Sequence, residues 1–400
     1  MWDSKFKQAL PILEKIESAG YQAFFVGGSV RNCILAISIT DVDIATSASP
    51  AVIQELFPKV IPVGIEHGTV IVRQDRQSFE VTTFRSEGSY SDKRHPDQVT
   101  FITDIDMDLS RRDFTMNALA MDRHGDIRDP FDGQTDIHNK KIRTVGNPTD
   151  RFMEDPLRMM RAFRFVSQLG FTIEADTLMA VKSSIDWIDS LAVERLAKEL
   201  EKLFAGGYYM EAIGLCSEVN LWGYLPVFNE IADVSAILGN ISAPFNRLYE
   251  VFTYIKLTHP AISIKDMIKK WKQSNQTYHA TSQLVEAMDV YKKAGLTNWL
   301  VYQLPSERYD SFIRLVKVLL AEQISIHQLN QVETSLPIKN RQMIDFSGND
   351  LIHIYPNRSK GPWLQTYLNE IEYAIVANEL ANNYTEIKEW VMKWHPPEIE

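Results

Sequence analysis

Runs of β-branched and aromatic residues flanked by turn residues fill the first third of this chain and then stop, which fixes the order of its architecture. Phe6, Leu10, Leu13 and Ile16 recur at helical spacing and Gly20 closes the run, predicting a first helix followed by a short strand over 21–26. Gly27-Gly28-Ser29 then turns the chain into a short helix. A second strand is predicted over 42–46, and Ser49-Pro50 suits the start of a helix over 51–57. The segments 69–74 and 78–84, separated by Asp75-Arg76-Gln77, read as a hairpin, and the polar, aperiodic stretch 85–96 reads as a loop. Beyond the turn Asp129-Pro130-Phe131-Asp132-Gly133 the strand signals fade. From residue 150 onward helices predominate, broken at Gly206-Gly207, Pro226, Pro260, Pro337 and Gly361-Pro362. The expectation is an α/β head followed by a long all-α body.

Composition narrows the class. With 400 residues, 45% hydrophobic and 24% charged, the chain can bury more than one core, and it is neither a disordered polymer nor a small disulfide scaffold. No run of apolar residues is long enough to span a membrane and no secretory signal is evident, so no membrane association is expected. Cys33 and Cys216 form no CxxC pair and the nine histidines show no metal-ligand spacing, which fits a reducing cytoplasm. The net charge of −10 speaks for the whole surface only. The window 256–272 sets Lys256, Lys265, Lys269, Lys270 and Lys272 against Asp266, and reads either as one solvated helix face or as a phosphate-binding patch.

Four segments carry chemistry. Asp41-Val42-Asp43 opens a strand, and alternation along a strand puts both carboxylates on one face, where they can share divalent ions in phosphoryl or nucleotidyl transfer. Alone, such a pair is more often two surface carboxylates. Gly27-Gly28-Ser29-Val30-Arg31, between a strand and a helix, offers backbone N–H groups and a cation to phosphate oxygens; a tight turn with a satisfied arginine is the plain alternative. No GxxxxGK[ST] or GxGxxG occurs, so neither a P-loop nor a dinucleotide fold is supported. Ser110-Arg111-Arg112-Asp113 reads as a capping box opening a helix to Ala120, which puts two arginines at a positive helix end unless they face an anion. In the segment from Glu154 to Phe165, Asp155, Arg158 and Arg161 fall in one sector of a helix that ends in unpaired Arg161 and Arg164, suggesting an anionic ligand rather than surface pairs of Arg158 with Glu154 and Asp155.

In this order GGSVRN, DVDIAT, RRDFTMNALAMD, DPFDG and EDPLRMMRAFRF resemble the successive motifs of bacterial class II CCA-adding enzymes, the tRNA nucleotidyltransferases of the polymerase-β superfamily. The resemblance spans residues 20–205 closely and the remainder more loosely; Asn32 stands where the family usually has Asp, and Ala36 where it usually has Gly. It implies a polymerase-β-like α/β nucleotidyltransferase head over 1–137, and then an all-α remainder: a base-recognising neck over 138–205, a body over 206–265 and a tRNA-binding tail over 266–400. The implied activity is template-independent addition of CCA to the tRNA 3′ end from CTP and ATP, releasing pyrophosphate.

The same resemblance assigns roles residue by residue. Asp41 and Asp43 would be catalytic and bind Mg²⁺, with Glu80 a candidate third carboxylate. Gly28 and Arg31, flanked by Gly27 and Ser29, would hold the triphosphate; Arg112 would contact the nucleotide and Asp113 would lie near the ribose 2′-OH. Asp155, Arg158, Arg161 and Arg164, next to Glu154, would line the nucleotide pocket. The loop at 85–96 is associated with A addition and so implies complete CCA synthesis; the family also suggests a homodimer. No His-Asp doublet of a phosphohydrolase domain occurs. The base logic follows from chemistry: cytosine and adenine both present an amino donor beside a ring-nitrogen acceptor, which a carboxylate and a guanidinium can read together.

Overall fold

The computed structural model describes residues 3–88 and 98–393. The chain divides into two compact units, Met1–Gly239 and Asn240–Glu400, and this division falls inside the stretch expected as the body.

In the first unit, helix α1 (Ser4–Ser18) is capped by Asp3, whose carboxylate accepts from the Lys5 N–H at 2.8 Å. It buries Phe6, Ala9, Ile12, Leu13 and Ile16, leaving Leu10 at the margin, and Phe6 packs 4.8 Å from Phe25 of strand β1 (Ala23–Val26). Helix α2 (Gly28–Ile34) follows directly, then β2 (Asp43–Thr46), α3 (Pro50–Leu56) behind its Ser49 cap, β3 (Val60–Gly64), β4 (Thr69–Gln74) and β5 (Gln77–Thr83). The β4–β5 hairpin closes through Asp75 and Arg76, with φ of 48° and 65°, one residue shorter than expected and as a two-residue turn with both central residues left-handed demands. Strands β6 (Arg85–Glu87) and β7 (Val99–Phe101) pair antiparallel, so the segment expected as a loop begins as a strand; positions 89–96 of that segment lie outside the described residues.

Helix α4 (Ile105–Ser110) corrects the capping-box reading. Its N-cap is Asp104, which accepts from the Asp106 N–H at 2.9 Å, whereas Ser110 is its last residue and donates back to the Met107 carbonyl. Arg111 and Arg112 therefore sit at the negative end of a helix, where the macrodipole favours them, and no helix runs on to Ala120. Strands β8 (Ala120–Met121) and β9 (Ile127–Arg128) complete a seven-stranded mixed sheet of order β3-β4-β5-β2-β1-β8-β9, in which only β2 and β5 run parallel. Val26, Ala45, Phe84, Ile105, Leu109 and Ala120 form one buried cluster between this sheet and α4.

After α5 (Gly133–His138) the unit is helical, apart from the two-residue pair 141–142 with 172–173. Asn147 caps α6 (Pro148–Glu154) by accepting from Thr149 and Asp150. Asp155 then breaks the helix with extended φ and ψ of −147° and 99°, and Pro156 starts α7 (Leu157–Leu169), which Gly170 ends in the left-handed conformation. Glu154 and Asp155 thus lie outside the helix that carries Arg158, Arg161 and Arg164. Helix α8 (Ala175–Ser184) precedes α9 (Val193–Phe204), which buries Leu196, Ala197, Leu200, Leu203 and Phe204 and turns its polar face toward α7.

The second unit is all helical among its described residues. Phe252 and Trp271 meet with tilted rings 6.4 Å apart, Tyr291 meets Phe312 edge-on at 5.6 Å, and fully buried Glu250 is held by Ser311, Arg314 and the Asn246 N–H. The basic window 256–272 spans two helices, Leu248–Thr258 and Ile264–Lys270, rather than one face; Lys256 donates to the carbonyls of Pro260 and Ile262, while Lys265 and Lys269 are exposed.

Candidate active site

The first unit encloses a polar cleft of about 610 Å³ at the carboxyl end of β1, bounded by β2 and β5 on one side and by α7 and α9 on the other. Gly27 turns the chain out of β1 with φ 68°, and a Cβ there would lie 3.1 Å from Nη1 of Arg112 and 4.0 Å from Oδ2 of Asp43, so glycine serves both the turn and the close approach. Gly28 and Arg31 line the cleft. Ser29 does not: it is buried and its hydroxyl donates to the Val26 carbonyl at 2.9 Å.

Strand geometry gathers the carboxylates. Val42 is buried while Asp41 and Asp43 are exposed on the opposite side, although Asp41 precedes β2 and only Asp43 lines the cleft. The parallel register of β2 with β5 sets Asp43 beside Glu80, whose side chain also reaches the cleft. Desolvation raises the Asp43 carboxyl above its ordinary value; Arg112 opposes this and Asp41 adds to it. Glu80 is raised by desolvation and by Asp43, with Arg85 opposing. Oxygen donors that repel one another suit a hard divalent cation. Among the described residues no three His, Cys, Asp or Glu side chains are grouped to hold an ion unaided, and Mg²⁺ typically takes one or two carboxylates and completes its shell with water and phosphate oxygens.

The cations are held by a second set of carboxylates. Asp108, buried at the end of α4, takes Arg111 at 2.8 Å and Arg112 at 3.3 Å; burial alone would raise its carboxyl, but these arginines hold it below the usual range. Asp113 is buried and accepts from Nε of Arg161 at 2.7 Å, from Nδ2 of Asn117 at 3.0 Å and from the Phe114 N–H. Against the desolvation that would raise it, Arg161 and Asn117 hold it far below the carboxylate range. Arg164 meets Glu199 of α9 at 2.8 Å. The arginine stripe read as unpaired therefore has carboxylate partners, because residues distant in sequence supply them.

Base-reading candidates are likewise held separately. Asp155 accepts from the Leu157 N–H at 3.1 Å and from Arg195 Nη2 at 2.7 Å, and does not pair with Arg158. Arg158 donates to Glu154 at 2.5 Å and to the carbonyls of Arg151 and Arg111. Glu154 is thus a positioning partner, also bound to Arg151, and is not in the cleft wall. Asp155, Arg158, Arg161, Arg164 and Arg195 all line the cleft. Sequence reading missed Arg195, Glu199 and Asn117; Arg195 and Glu199 sit on the polar face of an amphipathic helix, and the only available signal was their four-residue spacing on that face.

Comparison with known proteins agrees with this geometry. Residues 23–143 match the family model of the poly A polymerase head domain, and residues 249–391 match that of tRNA nucleotidyltransferase domain 2. The chain is 46% identical over 393 residues to the CCA-adding enzyme of Oceanobacillus iheyensis and 39% identical over 400 residues to that of Anoxybacillus flavithermus, covering 98% of each chain in both cases. Its fold superposes on the crystal structure of the Bacillus stearothermophilus CCA-adding enzyme in complex with CTP with a TM-score of 0.86 at 34% identity, covering 98% of both chains. Carboxylates set by strand register, a glycine turn beside them and arginines facing them across one cleft thus accompany likeness along nearly the full length, and the chain belongs to the CCA-adding enzymes, the nucleotidyltransferases that complete the 3′ end of tRNA.

Proposed function

We propose that this cleft adds C, C and A in turn to the 3′ end of tRNA, taking CTP and ATP and releasing pyrophosphate, with side chains rather than a nucleic-acid strand as template. The observation that carries the reading is that Asp155 and Arg158 are each immobilised by a different partner, Arg195 and Glu154, while both line the cleft that holds Asp43. A fixed carboxylate accepts from the amino group of cytosine or adenine, and a fixed guanidinium donates to the neighbouring ring nitrogen. Uracil and guanine present the opposite pattern and leave buried groups unpaired, which costs ~1–3 kcal/mol per group.

Asp41 and Asp43 would hold Mg²⁺, with Glu80 as a further carboxylate beside them. Divalent ions bound there supply activation of the tRNA 3′ hydroxyl and charge neutralisation on the departing pyrophosphate. Gly27, Gly28 and Arg31 orient the triphosphate; Arg112 reaches the nucleotide from the end of α4, and Arg161 and Arg164 give the cleft its positive wall. Asp113, bound by Arg161 and Asn117, presents its carboxylate at the edge where a ribose 2′-OH could donate. In the second unit, exposed Lys265 and Lys269 suit sequence-independent phosphate contacts.

The test is to incubate the protein and Mg²⁺ with a tRNA transcript lacking CCA and read product lengths. Two additions with CTP, a third with CTP plus ATP and none with UTP or GTP are expected. A long A tail would instead identify a poly(A) polymerase, and no extension would overturn the reading.

A further inference from the structure

Past Glu80, the side of the cleft bounded by β2 and β5 ends in two hydroxyls. Side chains alternate along β5, so Val81 is buried while Glu80 and Thr82 both line the cleft. The antiparallel register sets Thr69 of β4 opposite Thr82; it lines the cleft as well, and the two Oγ1 atoms lie 3.1 Å apart. Among the described residues each of these hydroxyls bonds only to the other. That bond uses one proton, so the pair keeps one O–H and spare lone pairs for a group in the cleft. Thr83, on the opposite face of β5, is buried instead and donates to the Ala48 carbonyl at 2.8 Å. Next to the pair stands Phe101, which faces Arg85 across the β6–β7 ladder and is 44% exposed. Its ring lies over Gly68, where a Cβ would come within 2.9 Å of it, directly before Thr69.

The order of strands gives this pair a side of the reaction. Across the sheet the sequence is β4-β5-β2-β1. The glycine turn and Arg31 follow β1, Asp43 opens β2, Glu80 lies beside it on β5, and Thr82 and Thr69 lie beyond on β5 and β4. Nucleotidyl transfer is an in-line displacement, so the attacking 3′ hydroxyl and the departing pyrophosphate stand on opposite sides of the reacting phosphorus. With the triphosphate at the β1 side, the 3′ hydroxyl arrives from the β5 side, past Glu80. The 2′ hydroxyl of the same ribose is its immediate neighbour, and the polar surface there is Thr82 with Thr69. The terminal base changes as the tRNA end grows, so a subsite for it must hold what all termini share. Hydroxyls that meet a ribose and a ring that meets a base face do this without reading sequence.

We propose that Thr69 and Thr82 form the subsite for the terminal ribose of the tRNA, their hydroxyl pair bonding to its 2′ hydroxyl, with Phe101 offering its ring to the terminal base. The proposal rests on the reading of the glycine turn and Asp43 given above. Its consequence is that the protein tells ribose from deoxyribose at the growing 3′ end, and that this preference resides in the two threonines.

The experiment follows addition of one C by the full chain to two tRNA transcripts that end in C, one with a ribose and one with a 2′-deoxyribose at that terminus. The parent should use the deoxyribose end about five- to tenfold less efficiently in kcat/KM. Thr69→Val with Thr82→Val keeps side-chain size and strand preference but removes both hydroxyls. This variant should use the ribose end as poorly as the parent uses the deoxyribose end and should no longer distinguish the two. Thr82→Val alone should give an intermediate loss, and Thr82→Ser, which restores the hydroxyl, should recover the preference. The KM for CTP and the inhibition constant of inorganic triphosphate should hold in all of them. Phe101→Leu should lower kcat/KM by about tenfold on ends of any base and leave the ribose preference intact. A parent indifferent to the sugar, or valine variants that keep the full preference, would overturn the subsite while leaving the proposed activity standing. A loss that falls on the KM for CTP would move the threonines to the nucleotide side and also overturn it. Failure of the parent to extend the ribose end at all would instead bring down the reading on which the subsite rests.

Discussion

The two walls of the cleft are built by different physics. On the strand wall, Asp43 and Glu80 are placed by backbone register alone: β2 and β5 are parallel neighbours, and short side chains on adjacent strands have little freedom. On the helix wall the functional groups are long arginines, and backbone position does not fix where a guanidinium ends. There each one is tied by a partner from another element: Arg161 by Asp113, Arg164 by Glu199, Arg158 by Glu154, while Arg195 in turn fixes Asp155. A strand wall tolerates mutual repulsion, which a cation relieves; a helix wall needs internal compensation before it can present charge in a fixed direction.

The comparison breaks most visibly at Asp43. Asp43→Asn should reduce nucleotide addition by about 10³-fold or more, since removal of a preorganised charge at the reacting phosphate costs several kcal/mol. Because the folded pKa of Asp43 is raised, its ionised form opposes folding at neutral pH, so the same variant should melt at a higher temperature than the parent. Thermal melts beside activity assays check both halves, and a lowered melting temperature would contradict the repulsion ascribed to this wall.

Asp113→Asn should do the reverse, destabilising the fold by about 2 kcal/mol because half-buried Arg161 loses the charged acceptor that holds it. The Asp113 carboxyl lies below its unfolded value, so its contribution is fully present above the unfolded pKa, near ~4, and is lost as pH falls through the folded value. Denaturant titrations of parent and variant should accordingly converge as the pH drops below ~4; a gap that persists in acid would argue for a packing effect instead.

Base choice comes next in size. Asp155→Ala should lower the preference for CTP over UTP by about 10–100-fold, and Arg195→Gln, which leaves the carboxylate but frees it to rotate, should lower it by a smaller factor. Competition assays with both nucleotides give the ratio directly; unchanged discrimination in Asp155→Ala would remove this residue from the template. Smallest is a change outside both walls. Ala36, between α2 and β2, has φ 53°, a conformation that costs an L-residue ~1–2 kcal/mol, so Ala36→Gly should stabilise the protein by up to about 1 kcal/mol without altering base choice.

What could be read in advance follows the same division. Alternation pointed to a pair, Asp41 and Asp43, but Asp41 precedes β2 and only Asp43 lines the cleft, whereas Gly27-Gly28 marked the turn beside it because that signal is local. The segment around Ser110 misled because Ser-x-x-Asp satisfies the capping pattern, while the acidic run Asp104, Asp106, Asp108 six residues upstream was the true helix start. Arg161 and Arg164 were placed on the right face of α7 but read as unpaired, since Asp113 and Glu199 lie 48 and 35 positions away.

The sequence by itself determined the α/β-then-helical order, the glycine turn, the carboxylate Asp43 at the start of its strand and the arginine face, all of which depend on spacings of a few residues. Tertiary structure alone decided that β5 runs beside β2 and so brings Glu80 to Asp43, and that Arg195 holds Asp155. The reason is geometric: local spacing constrains the direction in which a side chain leaves the backbone, but the partner that neutralises or orients its charge arrives from whichever segment the fold packs against it.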